Sequence, residues 1–428
     1  MNRFVKQYRC TICNTCHGVK EVDGLTCPTC GEQGILDVLY DYDAMKKIVN
    51  LDYFKQHKDL TMWRYAPLLS IIPNRHDEML ETGWTPLHQA RRIHEHLGVR
   101  KLLIKDEGAN PSGSLKDRAS AIAVLDALNK KQQTLACSST GNAASSLACH
   151  AARMGLSTVI FVPKRAPLGK LAQLAIYGSK VIAVDGDYKQ AYALSKQAIQ
   201  TYGWYNRNAA INPHLVEGKK TVALEIAEQC DFKPTDWIAV SVGDGCTIAG
   251  VFKGFFDLKQ LGLIDHIPRL LGVQSKGCAP FVQAFHKKGT LVEAEENTLA
   301  DSIAVGIPRN PVKALSAVAE SKGHWIAVSD EAILEMMVKL GSTEGIFAEP
   351  AAAAGLAGVR QAVAEGIIKA EESVTFIMTG NGLKDPDNAR KAVRPPTLLK
   401  PSLADLKKHM ENIGEQEHAQ GTFWPDLS

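Results

Sequence analysis

Residues Trp237-Ile238-Ala239-Val240-Ser241-Val242-Gly243-Asp244-Gly245-Cys246-Thr247-Ile248-Ala249-Gly250 decide the fold. The first six are a largely apolar run of strand length. Gly243 and Gly245 interrupt it, and a segment of helical character follows. A strand that passes through a glycine turn into a helix is the repeating unit of a parallel sheet with helices on both faces. The same order recurs along the chain. Residues 101–105, 133–138, 158–162, 180–184, 270–274 and 374–378 read as strands, and 119–128, 143–154, 170–176 and 188–202 as helices. The fold class expected is therefore α/β. Ligands in such folds sit beyond the carboxyl ends of the strands, so the loops that follow strands are where chemistry is sought.

At 428 residues the chain exceeds what one core usually holds, and two or three lobes are expected. A net charge of +3 gives no reason to expect nucleic acid or an anionic membrane as a partner. No apolar run reaches transmembrane length, and the polar start, residues 1–9, does not read as a signal peptide; the expected location is the cytoplasm. A cytosolic chain does not keep its cysteines as disulfides. Five of the ten, Cys10, Cys13, Cys16, Cys27 and Cys30, lie before residue 31, and the rest are scattered and read as small buried hydrophobes. Cys10-x-x-Cys13 and Cys27-Pro28-Thr29-Cys30 offer four thiolates to a tetrahedral structural zinc, without which so short a segment has little core. Cys13 and Cys16 make a second Cys-x-x-Cys pair, so Cys16 is an alternative ligand beside the preferred four. The organisation expected is a zinc ribbon over 1–43 and a catalytic region over 44–428. Residues 44–65 read as helical, and those after 395 as a polar tail on the surface.

Four stretches carry candidate chemistry. Asn110-Pro111-Ser112-Gly113-Ser114-Leu115-Lys116-Asp117-Arg118 puts a lysine at the start of a helix, where the backbone dipole disfavours a positive charge. Ser138-Ser139-Thr140-Gly141-Asn142-Ala143-Ala144 brings hydroxyls and free N–H groups to another helix start, suited to a carboxylate or phosphate. Gly243, Asp244, Gly245, Cys246 and Thr247 form a glycine turn that can cradle a phosphate, although it fits neither the Walker loop nor the dinucleotide fingerprint. Thr379-Gly380-Asn381-Gly382-Leu383-Lys384-Asp385-Pro386 also follows a strand. Each loop alone is a common structural turn. Together they match the needs of pyridoxal 5'-phosphate, an electron sink held on a lysine as a Schiff base. A lysine near a positive dipole end or another cation has a lowered pKa, which makes the neutral amine available.

The lysine stretch resembles the lysine motif of the fold type II (tryptophan synthase β-like) pyridoxal phosphate enzymes. The whole set is similar to the threonine synthases that carry an N-terminal zinc ribbon. The resemblance runs over nearly the whole chain, from the cysteine pairs and Leu39-Tyr40-Asp41-Tyr42 through Gly83-x-Thr85-Pro86-Leu87, Ser139-Thr140-Gly141-Asn142 and Asn212-Pro213-His214. It continues to Glu344-Gly345-Ile346-Phe347-x-Glu349-Pro350 and Thr379-Gly380-Asn381-Gly382. It implies two doubly wound α/β lobes, the smaller over roughly 115–225. It implies that Lys116 carries the cofactor and shuttles protons, and that Asn142 bonds the cofactor's 3′ oxygen. Gly243, Asp244, Gly245, Cys246 and Thr247 would wrap its phosphate, and Thr379 would face the pyridine nitrogen. Ser139, Thr140 and Gly141 would hold the substrate carboxylate, with Lys170 and Asn208 also on the substrate side. The implied activity is phosphate elimination from O-phospho-L-homoserine with addition of water to give L-threonine, in a homodimer acting on a small amino acid.

One departure bears on the substrate. Leu215 stands where the resemblance leads one to expect an arginine that grips the substrate phosphate, and an apolar side chain cannot supply that contact. Lys170 keeps a matching place, and Arg207, Lys219 or Lys220 could substitute. Leu215 therefore keeps a second reading in view, a threonine or serine ammonia-lyase or a β-replacement synthase acting on another activated amino acid. A third is a non-catalytic binding protein built on the ribbon.

Overall fold

The computed structural model describes residues 1–420 apart from 23, 165, 167, 209 and 288–290; the side chains of 168–170 and 412–420 also lie outside the described residues. The chain begins with a small antiparallel sheet. Its strands run in the order Cys16–Gly18, Val5–Cys10, Gly31–Tyr40, Thr26–Cys27. A parallel sheet of four strands follows in the order Tyr205–Asn206, Thr134–Ser138, Ser157–Pro163, Lys180–Val184. The larger sheet has six: His324–Val328, Arg269–Ser275, Trp237–Ser241, Ser373–Met378 and Lys101–Asp106 run parallel, with Leu87–Gln89 antiparallel at the edge.

The stretch that opens the sequence argument is an inner strand of this sheet. All five residues of Trp237–Ser241 are buried, as expected where helices cover both faces and no polar alternation is needed. Helix Cys246–Leu261 leaves that strand and packs on helix Pro213–Gln229, which in turn packs on helix Lys116–Asn129. Two glycines set these close approaches. A Cβ at Gly254 would stand 2.5 Å from the Lys220 carbonyl oxygen, and one at Gly218 would stand 2.5 Å from that of Arg118.

The region predicted as one helix over 44–65 is broken. Helix Tyr42–Lys46 stops, and helix Leu51–Gln56 starts afresh because Asn50 Oδ1 accepts from Tyr53 N at 3.0 Å. A tighter turn, Met62–Leu68, follows with Pro67 inside it. The segment read as a polar tail contains helix Leu403–Gln420. Strand His324–Val328 and helices Pro311–Glu320, Asp330–Glu344 and Pro350–Ala364 complete the larger lobe. The last is Ala-rich and buried along most of its length, so it shows no apolar stripe for a periodicity argument to find.

Buried ion pairs join the layers. Arg118 bridges Glu107 (2.6 Å) and Glu225 (2.5 Å), and Lys105 reaches Glu225 at 2.8 Å. The N-terminal sheet is tied to the helices by Tyr40 donating to Glu217, Tyr42 donating to Asp257 at 2.6 Å, and Lys313 donating to the Leu36 carbonyl at 2.8 Å.

Candidate active site

Lys116 is the first residue of helix Lys116–Asn129, and Leu115 before it supplies no side-chain cap. Gly113, at φ +84°, makes the turn that delivers it. Its neighbours hold that turn rigid. Asp117 accepts from Ser112 N (3.0 Å) and Ser112 Oγ (2.8 Å), and its other oxygen meets His150 Nε2 at 2.9 Å. Asp117 also supplies the acidic residue that a helix start favours. Arg118 points the other way, into its ion pairs with Glu107 and Glu225.

The Lys116 side chain enters a cavity of about 320 Å³. Its lining gathers every residue the sequence singled out for cofactor and substrate except one. Lys116, Ser139, Thr140, Gly141, Asn142, Asn208, Gly243, Asp244, Gly245, Cys246, Thr247 and Thr379 all face it. The exception is Lys170, whose side chain lies outside the described residues.

The cavity is prepared for an anion by backbone as much as by side chains. The helices starting at Lys116, Asn142 and Cys246 each begin at this cavity, and none has a side-chain cap. Elsewhere caps are common, from Asp41, Asn50, Asp187, Asn212 and Ser329. An uncapped first turn leaves N–H groups without intrahelical acceptors. Three buried polar atoms at the same cavity also lack partners among the described residues: Ser138 Oγ, Asn208 Nδ2 and Ser241 Oγ. Gly245, at φ +85°, permits the tight entry into helix Cys246–Leu261, and a Cβ there would come 2.7 Å from Ala314 Cβ and 2.9 Å from the Asn310 carbonyl oxygen.

The Lys116 amine lies below the ordinary lysine range. Burial is the main cause; Glu349 opposes it and Arg207 adds to it. The sequence leads one to expect the helix dipole and a nearby cation as the causes. The cation is present as Arg207, and enclosure of the amine outweighs it.

One cavity residue, Glu349, has no assigned role in the sequence reading. Glu349 is buried, faces Lys116, and accepts from Asn142 Nδ2 at 3.0 and 3.1 Å. Burial raises its pKa, and the Asn142 amide pulls it back down. Its signals in the sequence are its place in the Glu344–Pro350 motif and the helix-starting proline after it. Arg207 and Lys219, two of the candidates to replace the missing arginine, are both buried and both line the cavity. Leu215 does not line it; it packs in an apolar cluster with Leu135, Cys137, Ala144 and Tyr205. Lys220 is also absent from the lining, held by Glu217 and by Asp257 at 2.7 Å.

In the N-terminal sheet, the sulfurs of Cys10, Cys13, Cys27 and Cys30 lie within 4.8 Å of one another. Cys16 is exposed and outside the group. Cys13 and Cys27 sulfurs are 3.9 Å apart. A tetrahedral zinc with metal–sulfur bonds of about 2.3 Å sets its sulfurs ~3.8 Å apart, so the spacing suits that ion.

Residues 79–380 match the family profile of pyridoxal-phosphate dependent enzymes. The threonine synthase of Methanocaldococcus jannaschii is 37% identical over 408 residues, which is 95% of this chain and 99% of that protein. That of Methanosarcina acetivorans is 38% identical over 90% of this chain and 93% of its own. Among solved structures, threonine deaminase isoform 2 from Solanum lycopersicum superposes with a TM-score of 0.63 at 20% identity, covering 81% of this chain and 94% of that one. Diaminopropionate ammonia lyase from Escherichia coli gives 0.65 at 20% identity, covering 76% and 93%. Those two likenesses concern the fold.

Proposed function

The chain belongs to the pyridoxal-phosphate dependent enzymes and, among them, to the threonine synthase family; from that membership we propose that it converts O-phospho-L-homoserine and water into L-threonine and phosphate. The similarity over 95% of the chain to the Methanocaldococcus jannaschii protein carries this reading.

The cavity fits the cofactor that the family uses. It offers an amine of lowered pKa, a glycine turn opening an uncapped helix, and orphaned buried hydroxyl and amide groups. Pyridoxal phosphate, when bound, supplies the electron sink that stabilises negative charge on the substrate's carbon atoms. Lys116 Nζ would hold the cofactor, and its amine of lowered pKa would take and return protons at the substrate. The N–H groups of the Gly243–Thr247 turn hold the cofactor's phosphate. Asn142, with its amide anchored by Glu349, presents itself to the ring oxygen. Thr379 would offer the cofactor's ring nitrogen a neutral hydroxyl and no carboxylate, which would suit elimination over transamination. Ser139, Thr140 and Gly141 orient the substrate carboxylate at the uncapped start of helix Asn142–Arg153, and Lys170 and Asn208 serve the substrate side.

The four-cysteine cluster holds a structural zinc, a role supported by its sulfur spacing. We read residues 1–43 as the ribbon and 44–428 as the catalytic region, with its smaller lobe over roughly 115–225. A cytoplasmic homodimer is the assembly that the family resemblance implies. No helix among the described residues is long and apolar enough to cross a membrane.

The deciding experiment measures phosphate release from O-phospho-L-homoserine beside deamination of threonine and serine and turnover of O-phosphoserine. No phosphate from the first substrate ends the synthase reading. Leu215, packed in an apolar cluster, favours the second reading, an ammonia-lyase or β-replacement synthase, if one of the other substrates is preferred. Lys116→Ala should abolish turnover and the visible absorbance of the lysine-bound cofactor; a wild-type protein without that absorbance would leave only a non-catalytic role.

A further inference from the structure

Among the described residues, five cationic side chains are less than 2% exposed: Lys105, Arg118, Arg207, Lys219 and Lys220. Three of them have buried carboxylate partners. Lys105 pairs with Glu225, Arg118 with Glu107 and Glu225, and Lys220 with Glu217 and Asp257. Arg207 and Lys219 form no ion pair among the described residues, and these are the two that line the cavity. Arg207 donates through Nε and Nη2 to Ser120 Oγ, at 3.3 and 3.0 Å, which is a neutral partner. Lys219 makes no side-chain hydrogen bond among the described residues.

Among the described residues four acids line the cavity, and each is already engaged, Asp301 included. Glu349 is bound by Asn142, Asp244 by the backbone N–H of Arg309 at 3.3 Å, and Glu296 by that of Gly306 at 2.8 Å. A buried charge without a counter-ion is costly, and it persists where an arriving ligand completes it. Two positive charges suit a phosphate monoester dianion. The backbone N–H groups of the Gly243–Thr247 turn would serve the cofactor's own phosphate. The register of helix Pro213–Gln229 explains why the signal was displaced. Leu215 and Lys219 are one turn apart; the first joins the apolar cluster, and the second reaches the cavity.

We propose that Arg207 and Lys219 together form the binding site for the phosphate of the substrate. This rests on the reading of the substrate as a phosphate ester, and it makes these two residues the determinants of that specificity.

The test uses the holoenzyme and inorganic phosphate, so that it does not depend on which phosphate ester is turned over. Equilibrium dialysis with labelled phosphate should show binding to the wild type. Lys219→Gln and Arg207→Gln should each weaken it at least about tenfold, because a hydrogen bond to a charged group is worth that factor. Lys219→Arg should restore it in part. With O-phospho-L-homoserine, KM should rise in the Gln variants by a similar factor while kcat changes less and the cofactor absorbance is retained. A second titration loads the apoenzyme with pyridoxal phosphate and, separately, with phosphate-free pyridoxal. If Lys219→Gln weakens the first and not the second, and leaves phosphate dialysis unchanged, the cations serve the cofactor and the proposal is overturned. It is equally overturned if wild-type holoenzyme binds no phosphate. If phosphate binds and both Gln variants lose it, yet O-phospho-L-homoserine is not turned over, the site stands and only the proposed substrate fails.

Discussion

Lys219 is a residue whose charge depends on what shares its cavity. Burial, with Lys116 and Arg207 adding, holds its pKa down at about 8, while Cys246 and Asp244 pull the other way. The ordinary value is 10.5. Below pH 8 the amine is protonated in both folded and unfolded chains. Between about 8 and 10.5 the unfolded chain binds the extra proton, so stability contributed by this group rises with pH. The cofactor-free protein should therefore gain melting temperature from pH 8 to pH 10, and Lys219→Gln should lose part of that gain. Adding inorganic phosphate should flatten it by keeping the amine charged. An unchanged slope in the variant would falsify the assignment of this pKa. The sequence showed Lys219 as one of several basic residues near Leu215. Which of them reached the cavity could not be read there, because Lys220, its immediate neighbour, points into ion pairs instead.

At the scale of elements, the site is an agreement among helix starts. Three uncapped N-termini converge because three strand-to-helix or turn-to-helix connections end at the same side of the two parallel sheets. These connections were legible: the glycine turn after Trp237–Ser241 and the hydroxyl loop after Thr134–Ser138 mark themselves by composition. Gly245 is the most exacting point. Gly245→Ala combines a left-handed backbone with a 2.7 Å clash at Ala314, so helix Cys246–Leu261 should shift. A penalty of roughly 1–2 kcal/mol from the backbone alone is expected, and affinity for pyridoxal phosphate should fall at least about tenfold by absorbance titration. The elements that were missed lacked such punctuation. Pro350–Ala364 is buried on nearly all sides, and the 44–65 region was split by an Asn50 cap that only local hydrogen bonding reveals.

At the scale of the molecule, the lobes and the N-terminal sheet are held by buried charge. Arg118→Met should leave Glu107 without its cation and Glu225 with Lys105 alone, a loss of about 3–5 kcal/mol for a broken buried pair. Denaturant unfolding should register it as a lower midpoint. The N-terminal sheet packs Ile35 against Ala210, Val216 and Cys246, two of which line the cavity. Chelation or Cys27→Ser should lower the melting temperature, with activity lost in proportion to the unfolded fraction. The sequence by itself determined the parallel α/β class, the paired cysteines and the loops that meet at Lys116. Those depend on local pattern, on glycine turns and on side-chain spacing along the chain. Only the tertiary structure decided which cations are left without partners, because pairing depends on carboxylates brought from distant strands and helices. Glu107 and Glu225 reach Arg118, Glu217 and Asp257 reach Lys220, and no carboxylate pairs with Arg207 or Lys219 among the described residues.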